Sequence, residues 1–372
     1  MSIDLNIFIK LFKLFILFVI LFFTSCNDTD SPQSEDVVII EGAPEDVVRI
    51  EGVPDYYFEN DYIDNRITEI NKAISQCSDG CETFIWITDM HWEQELNARE
   101  SPNLIKYIAS RTKIDKILNG GDTADSREIC IDGISRLREA IGSNRVYTVT
   151  GNHEIVDASM YENPFMRVDE ELRSHNTDIV YSDKDGNRSY FYFDNSENKV
   201  RYIGLASFGV YDGNKCETCY TAEQLSWFKT IALNVETGWT IVIFSHSLYC
   251  VSCATDIMYY SPAGGDDFIE ALDKYKGNGT IACVLLGHTH RDRVHIGRTG
   301  IPYIISASDR YSPSNGDINV LRVPGTISEQ HFEVAVIDKE KRTLSLFSIG
   351  ANARDGYDDE PGKEVDVRVV NY

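Results

Sequence analysis

Five short stretches of the chain place metal-capable side chains directly after apolar runs. Asp89-Met90-His91 follows the run Phe84 to Thr88, and Gly120-Gly121-Asp122-Thr123-Ala124-Asp125 follows Ile114 to Leu118. Gly151-Asn152-His153-Glu154 follows Val146 to Thr150, Ser245-His246 follows Thr240 to Phe244, and Gly287-His288-Thr289-His290 follows Ile281 to Leu286. The chain has eight histidines, and five of them (His91, His153, His246, His288 and His290) sit in these stretches. A lone histidine after a strand is more often a hydrogen-bonded structural residue than a ligand. Five of them, with three aspartates and an asparagine at matching positions, point to a shared site. Carboxylate, imidazole and amide donors together suit Mn²⁺, Fe²⁺ or Zn²⁺ better than an all-thiolate set would. Donors of this kind brought together can hold a divalent cation that acidifies a bound water into a nucleophile near neutral pH.

The elements that must position these residues are legible as short buried strands with helices between them. Helical spacing over Leu104 to Arg111 and Ile129 to Ile141 separates the first three strands, so their connections are right-handed crossovers within a parallel or mixed sheet. Further strands are expected at Tyr190 to Phe193, Val200 to Leu205, Thr240 to Phe244 and Ile281 to Leu286. Ile301 to Ile305, Phe332 to Ile337 and Leu344 to Ile349 then alternate without long helices between them. Several strands therefore lack a helical partner, which predicts two sheets packed face to face with helices outside. Ligands in α/β sheets bind beyond the carboxyl ends of strands, so the five motifs are expected to meet in one crevice. Glycines at 120, 121, 151 and 287 should let the backbone bend sharply there.

The ordered set Asp-x-His, Gly-Asp-x-x-Asp, Gly-Asn-His-Glu, a single His and Gly-His-x-His resembles the calcineurin-like metallophosphoesterase superfamily. The motifs span Asp89 to His290; each is weak alone and the ordered set is specific. The resemblance implies an α/β fold, a four-layer α/β/β/α sandwich of two mixed sheets, around two divalent metal ions. It implies that Asp89, His91 and His290 hold one ion, that Asn152, His246 and His288 hold the other, and that Asp122 bridges them. His153 would face the substrate as the catalytic acid, oriented by Asp125, and a hydroxide between the ions would attack a small phosphorylated substrate. The sequence departs from Ser/Thr protein phosphatases, with Ser126-Arg127 after the second motif, and from purple acid phosphatases, with Asp125 where those carry tyrosine. The helix opening Tyr220 to Phe228 resembles that of phosphodiesterase-like members, leaving a phosphomonoester or phosphodiester, nucleotide-like or otherwise, as the expected substrate. The alternative is a surface lipoprotein that keeps the metal-site fold as a non-catalytic binding module.

The 372-residue chain is 42% hydrophobic and 25% charged, a globular composition. Its net charge of −24 disfavours coating of nucleic acid, whose phosphates it would repel. Lys10 and Lys13, the apolar run Leu14 to Phe23 and Thr24-Ser25-Cys26 read as an export signal over residues 1–25. The segment resembles a bacterial lipoprotein signal with Cys26 as the lipidated residue, which implies a membrane anchor at the periplasmic or cell surface. Residues 26–61 read as an acidic tether, with eleven acids and one base from Asp28 to Asp61 and a tandem decapeptide at Glu35 to Pro54. Residues 62–372 are then the catalytic domain. Nine cysteines include three close pairs, Cys77 with Cys81, Cys216 with Cys219, and Cys250 with Cys253. In an exported protein disulfides are expected over a zinc knuckle for Cys216, Cys219, Cys250 and Cys253, with Cys130 and Cys283 as buried free thiols.

Overall fold

The computed structural model describes residues 51–77, 81–92, 100–124, 126–155, 174–181, 190–207, 209–211, 214–216, 220–248, 264–309, 322–354 and 364–372. In chain order the elements are α1 (Tyr62–Gln76), β1 (Glu82–Ile87), α2 (Ser101–Ala109), β2 (Ile117–Asn119), α3 (Arg127–Ile141) and β3 (Val146–Thr148). Then come β4 (Val180–Tyr181), β5 (Phe191–Asn195), β6 (Val200–Leu205), β7 (Gly209–Tyr211), β8 (Asn214–Cys216), α4 (Ala222–Trp227) and β9 (Thr240–Ser245). The chain continues through α5 (Gly265–Asp273), β10 (Thr280–Leu286), β11 (Arg293–Ile296), β12 (Pro302–Ile305), β13 (His331–Asp338) and β14 (Thr343–Gly350). It ends with β15 (Ala353–Arg354), β16 (Glu364–Val365) and β17 (Val367–Asn371).

Two mixed sheets form the body of the fold, in the orders β17-β14-β13-β1-β2-β3 and β11-β12-β10-β9-β6-β5-β4. In the first, β1, β2 and β3 are parallel and β13 pairs antiparallel to β1; in the second, β6, β9, β10 and β12 are parallel. Both faces of each central strand are covered, which is why these strands read as continuous apolar runs. The inner layer joins Phe84, Trp86, Leu118 and Tyr147 of one sheet to Phe193, Tyr202, Phe244 and Leu285 of the other. Phe193 stacks between Tyr147 and Tyr202, with ring centroids 3.5 and 4.7 Å away. On the outer face of the first sheet lie α1, α2 and α3, represented by Ile63, Ile67, Leu104, Ile108, Ile134 and Leu137. The outer face of the second is covered by Trp227, Phe228, Phe268 and Leu272 from the α4 and α5 region. The result is the expected sandwich of helix, sheet, sheet and helix.

Local sequence explains the helix ends. Ser126 caps α3, its hydroxyl accepting from the Ile129 amide at 3.4 Å, and Gly142 closes it in the left-handed region at φ 60°. Thr221 caps α4 by accepting from the Gln224 amide at 3.1 Å.

Two expectations need correction. The packed chain starts before residue 62: Tyr57 is fully buried and Val53 joins it in the core beside α1. The first two strand runs are also displaced, with β1 ending at Ile87 and β2 confined to Ile117–Asn119. Cys77 and Cys81, the first close pair, are free thiols whose sulfurs are in contact, Cys81 donating. Burial pushes both thiols up, away from the thiolate that exchange requires. Cys130 and Cys283 are buried thiols outside any disulfide, as expected. Cys219, Cys250, Cys253, most of the decapeptide repeat and the whole of residues 1–50 lie outside the described residues. Among the described residues no helix is long and apolar enough to cross a membrane.

Candidate metal centre

Every motif residue that the structure describes lies just past the carboxyl end of a strand. β1 runs into Asp89 and His91, β2 into Asp122, β3 into Asn152 and His153, β9 into His246, and β10 into His288 and His290. The turns that make this convergence possible are strained. Nine non-glycine residues among those described have positive φ, and five of them are Asp89, His91, Asp122, His288 and His290. Each such conformation costs on the order of 1–3 kcal/mol and persists only where surroundings impose it. Of the glycines expected to bend, only Gly121 does so by a positive φ, 90°. Gly151 is needed for proximity instead, since a Cβ there would lie 2.1 Å from Asp122 Oδ1.

The donors form two adjoining cups. In one, His91 Nε2 and His290 Nε2 face each other at 3.2 Å, and His290 Nε2 is 3.2 Å from Asp89 Oδ1. His91 Nε2 is 3.9 Å from both Asp89 Oδ1 and Asp122 Oδ2. In the other, Asn152 Oδ1 lies 3.2 Å from His246 Nε2 and 3.0 Å from His288 Nδ1, while His246 Nε2 is 3.2 Å from Asp122 Oδ2. Asp122 therefore borders both cups. His246 Nδ1 pairs with the Gly120 carbonyl at 2.8 Å, which directs Nε2 inward. Asp89 is oriented by the Thr88 hydroxyl at 2.7 Å and by the His288 amide at 3.0 Å.

The electrostatics fit divalent cations. Asp89 and Asp122 are both buried, and although burial alone would raise their pKa values, the His246 ring beside them holds both carboxyls well below the usual range. Burial lowers His91 and His288 to about 4, so both rings are neutral and offer lone pairs near pH 7. For His246 burial is outweighed by Asp122 and Asp89, which raise it to about 9. His91 Nδ1 is buried without a hydrogen-bond partner among the described residues. Mutually facing imidazole nitrogens with ionised carboxylates form the donor set that intermediate divalent metals take.

His153 is set apart from the ligand cups. It opens a 3-10 turn, His153–Ile155, its ring meets His91 edge-on at 4.4 Å, and its Nε2 is 3.9 Å from Asp122 Oδ2. Its side chain is 27% exposed whereas those of His91 and His246 are fully buried, so it faces the open side. With His91 and Asp122 it also forms a triad of metal-capable atoms within 4.8 Å of one another. Asp125, its expected orienting partner, lies outside the described residues.

Two features escaped the sequence reading. Glu154 reaches back under the site to the Asp122 turn; burial and the Asp122 charge raise its carboxyl to about 7. Its only signal was its position in Gly-Asn-His-Glu. A further group of metal-capable donors, Asp292, His331 and Glu333, is also buried. There Arg368 already supplies the positive charge, 2.8 Å from Asp292 and paired with Glu333, so the group is an internal ion network.

Residues 82–292 match the family model described as calcineurin-like phosphoesterase. Among solved structures the chain is similar to a dimetal phosphatase from Danio rerio, with 15% identity and a TM-score of 0.51 over 78% of this chain and 98% of that one. It is also similar to the phosphopantetheinyl hydrolase of Mycobacterium tuberculosis (14% identity, TM-score 0.33, 64% of this chain and 93% of that one). A 5'-nucleotidase from Candida albicans SC5314 aligns at 14% identity and a TM-score of 0.39, over 69% of this chain and 51% of that one. At such identities the first likeness is one of fold, and the other two are too distant to carry an argument. No curated protein matches the chain in sequence.

Proposed function

The chain belongs to the calcineurin-like phosphoesterase family, and from that premise we propose how its residues divide the work of hydrolysing a small phosphomonoester or phosphodiester. It is a metal-dependent phosphoester hydrolase with two divalent metals. In the proposed division Asp89, His91 and His290 hold one ion, Asn152, His246 and His288 hold the other, and Asp122 serves both. The observation that carries this reading is the pair of adjoining donor cups with Asp122 between them.

Bound there, the ions supply Lewis acidity toward phosphoryl oxygens and a lowered pKa for a shared water. The chain's own part is to fix positions before substrate arrives. The strained turns hold the ligand atoms facing one another, so little reorganisation remains. His153, the half-exposed ring beside the cups, holds a proton at Nε2 for the leaving oxygen, and Asp125 orients it. The leaving group thereby departs as a neutral alcohol where its own basicity would otherwise hold it back.

Residues 1–25 are proposed as an export signal, Cys26 as a lipid anchor and the following acidic segment as a tether that presents the domain at the membrane surface. The basis is the order of basic, apolar and small residues before Cys26. The catalytic reading is tested by loading purified protein with Mn²⁺, Fe²⁺ or Zn²⁺ and assaying aryl phosphate mono- and diesters. Hydrolysis that needs metal supports it; metal-loaded protein inert on every ester favours a binding module.

A further inference from the structure

The Glu154 carboxylate accepts three backbone hydrogen bonds from two different turns. Its Oε2 takes the amides of Gly151 at 2.7 Å and Asp122 at 2.9 Å, and its Oε1 takes the amide of Thr123 at 2.6 Å. In the opposite direction Asp122 Oδ1 accepts from the His153 amide at 2.8 Å. Each turn thus contributes a carboxylate to the other's amides. The two backbones are close enough that a Cβ on Gly121 would lie 2.6 Å from the Gly151 nitrogen. Glu154 is itself 2% exposed, so its bonds are not shared with bulk water. The Cys130 thiol from α3 approaches the same Oε1 at 3.9 Å, linking the arrangement to the helix behind it.

We propose that Glu154 is a positioning residue that clasps the Asp122 turn to the Asn152 turn and so sets the spacing of the ligand cup they share. The inference rests on the proposed assignment of Asp122 and Asn152 as ligands. Asp122 sits at φ 54°, an unfavourable conformation for a non-glycine residue, and two of the three bonds hold the backbone there. The spacing of the Asn152 cup is therefore imposed from below, by a group that touches neither ion nor substrate. The cup built from Asp89, His91 and His290 is tied to the same turn less directly, through the Asp89 and His91 amides donating to the Gly121 and Asp122 carbonyls at 2.9 and 3.0 Å. Loss of Glu154 must then weaken metal binding, and most at the cup built from both clasped turns.

The test is calorimetric titration of Mn²⁺ into metal-free wild-type, E154Q and E154D proteins, with kcat and KM at saturating Mn²⁺. Gln keeps the length but turns one acceptor into a donor, and Asp keeps the charge but cannot span both turns. Both variants should bind Mn²⁺ more weakly than wild type, by about 10–100-fold at the more affected site, the usual scale for a group that orients ligands. At saturating Mn²⁺ KM should stay near the wild-type value. Wild-type protein that binds two ions while both variants match it at each site overturns the clasp and leaves the ligand assignment standing. Wild-type protein that binds no Mn²⁺ overturns the ligand assignment itself, and the clasp with it. Should neither variant fold, hydrogen exchange on metal-free wild-type protein decides. The Gly151, Asp122 and Thr123 amides should be protected together, and exchange at the rate of an open chain overturns the proposal.

Discussion

At the scale of single residues, the centre separates groups that hold charge from a group that can move a proton. Asp89, His91, Asp122 and His246 are buried and interlocked, whereas His153 is half-buried at their edge. In the proposed assignment the His153 ring holds neither ion, so replacing it with Asn should leave two ions bound by elemental analysis. Turnover should fall about 10²–10⁴-fold on substrates with alkoxide leaving groups. The loss should be smaller on nitrophenyl esters, since nitrophenolate departs without a proton. A variant that loses metal, or slows both substrate classes equally, would show that the ring is a ligand or a general electrostatic group instead. The exposure of His153 and its edge-on contact with His91 are what distinguish it; sequence offered only its place after Asn152.

At the scale of elements, strands deliver the ligands and helices keep the strands in register. Gly142 ends α3 in the left-handed region with nothing within 4 Å of where a Cβ would be. Gly142→Ala therefore introduces backbone strain without a clash, and it should lower unfolding stability by about 1 kcal/mol in a denaturant titration. Turnover should be unchanged, because α3 meets the site through its opposite end. These strands were legible in sequence because each is an apolar run covered on both faces and stops at a metal-capable side chain. The site was legible for the same reason: β3, β9 and β10 stop within a few residues of Asn152, His246 and His288. Helix α1 was missed although Ile63, Ile67 and Ile70 recur at helical spacing, since the acidic run before it masked where packing begins. Strand β17 was missed because Arg368 occupies a buried position in it, balanced by Asp292 and Glu333 from distant parts of the chain. Contacts of that kind, like the bonds from Glu154 to the Asp122 turn, depend on residues far apart in sequence and have no local pattern.

At the scale of the whole molecule, stability is tied to pH by a buried carboxyl outside the ligand set. Burial raises Asp309 to about 7, against hydrogen bonds from the Ser101 hydroxyl to both its oxygens at 2.8 Å and the nearby Arg322. The folded protein keeps this proton where the unfolded chain, at 3.8, has lost it. The associated stability is fully present below about pH 4 and is lost as pH rises to about 7. Asp309→Asn should remove that dependence, so the stability difference between wild type and variant should change across this window and be flat above it. A difference that does not vary with pH would show that Asp309 is ionised in the fold. The proposed membrane attachment is separable from all of this: if Cys26 carries the anchor, Cys26→Ser should move the protein from the membrane to the soluble fraction, and retention of the variant would mean that the N-terminal segment remains as an anchor. The central claim concerns the metals, and the most direct measurement is phosphoester hydrolysis as a function of metal bound per chain. Hydrolysis should be absent from metal-free protein and reach its plateau at two ions per chain. Asp122→Asn, folded by circular dichroism, should stay below a tenth of that plateau, a barrier difference of about 1.4 kcal/mol or more. Full hydrolysis without metal, or an inert wild-type protein carrying two ions, would contradict the account.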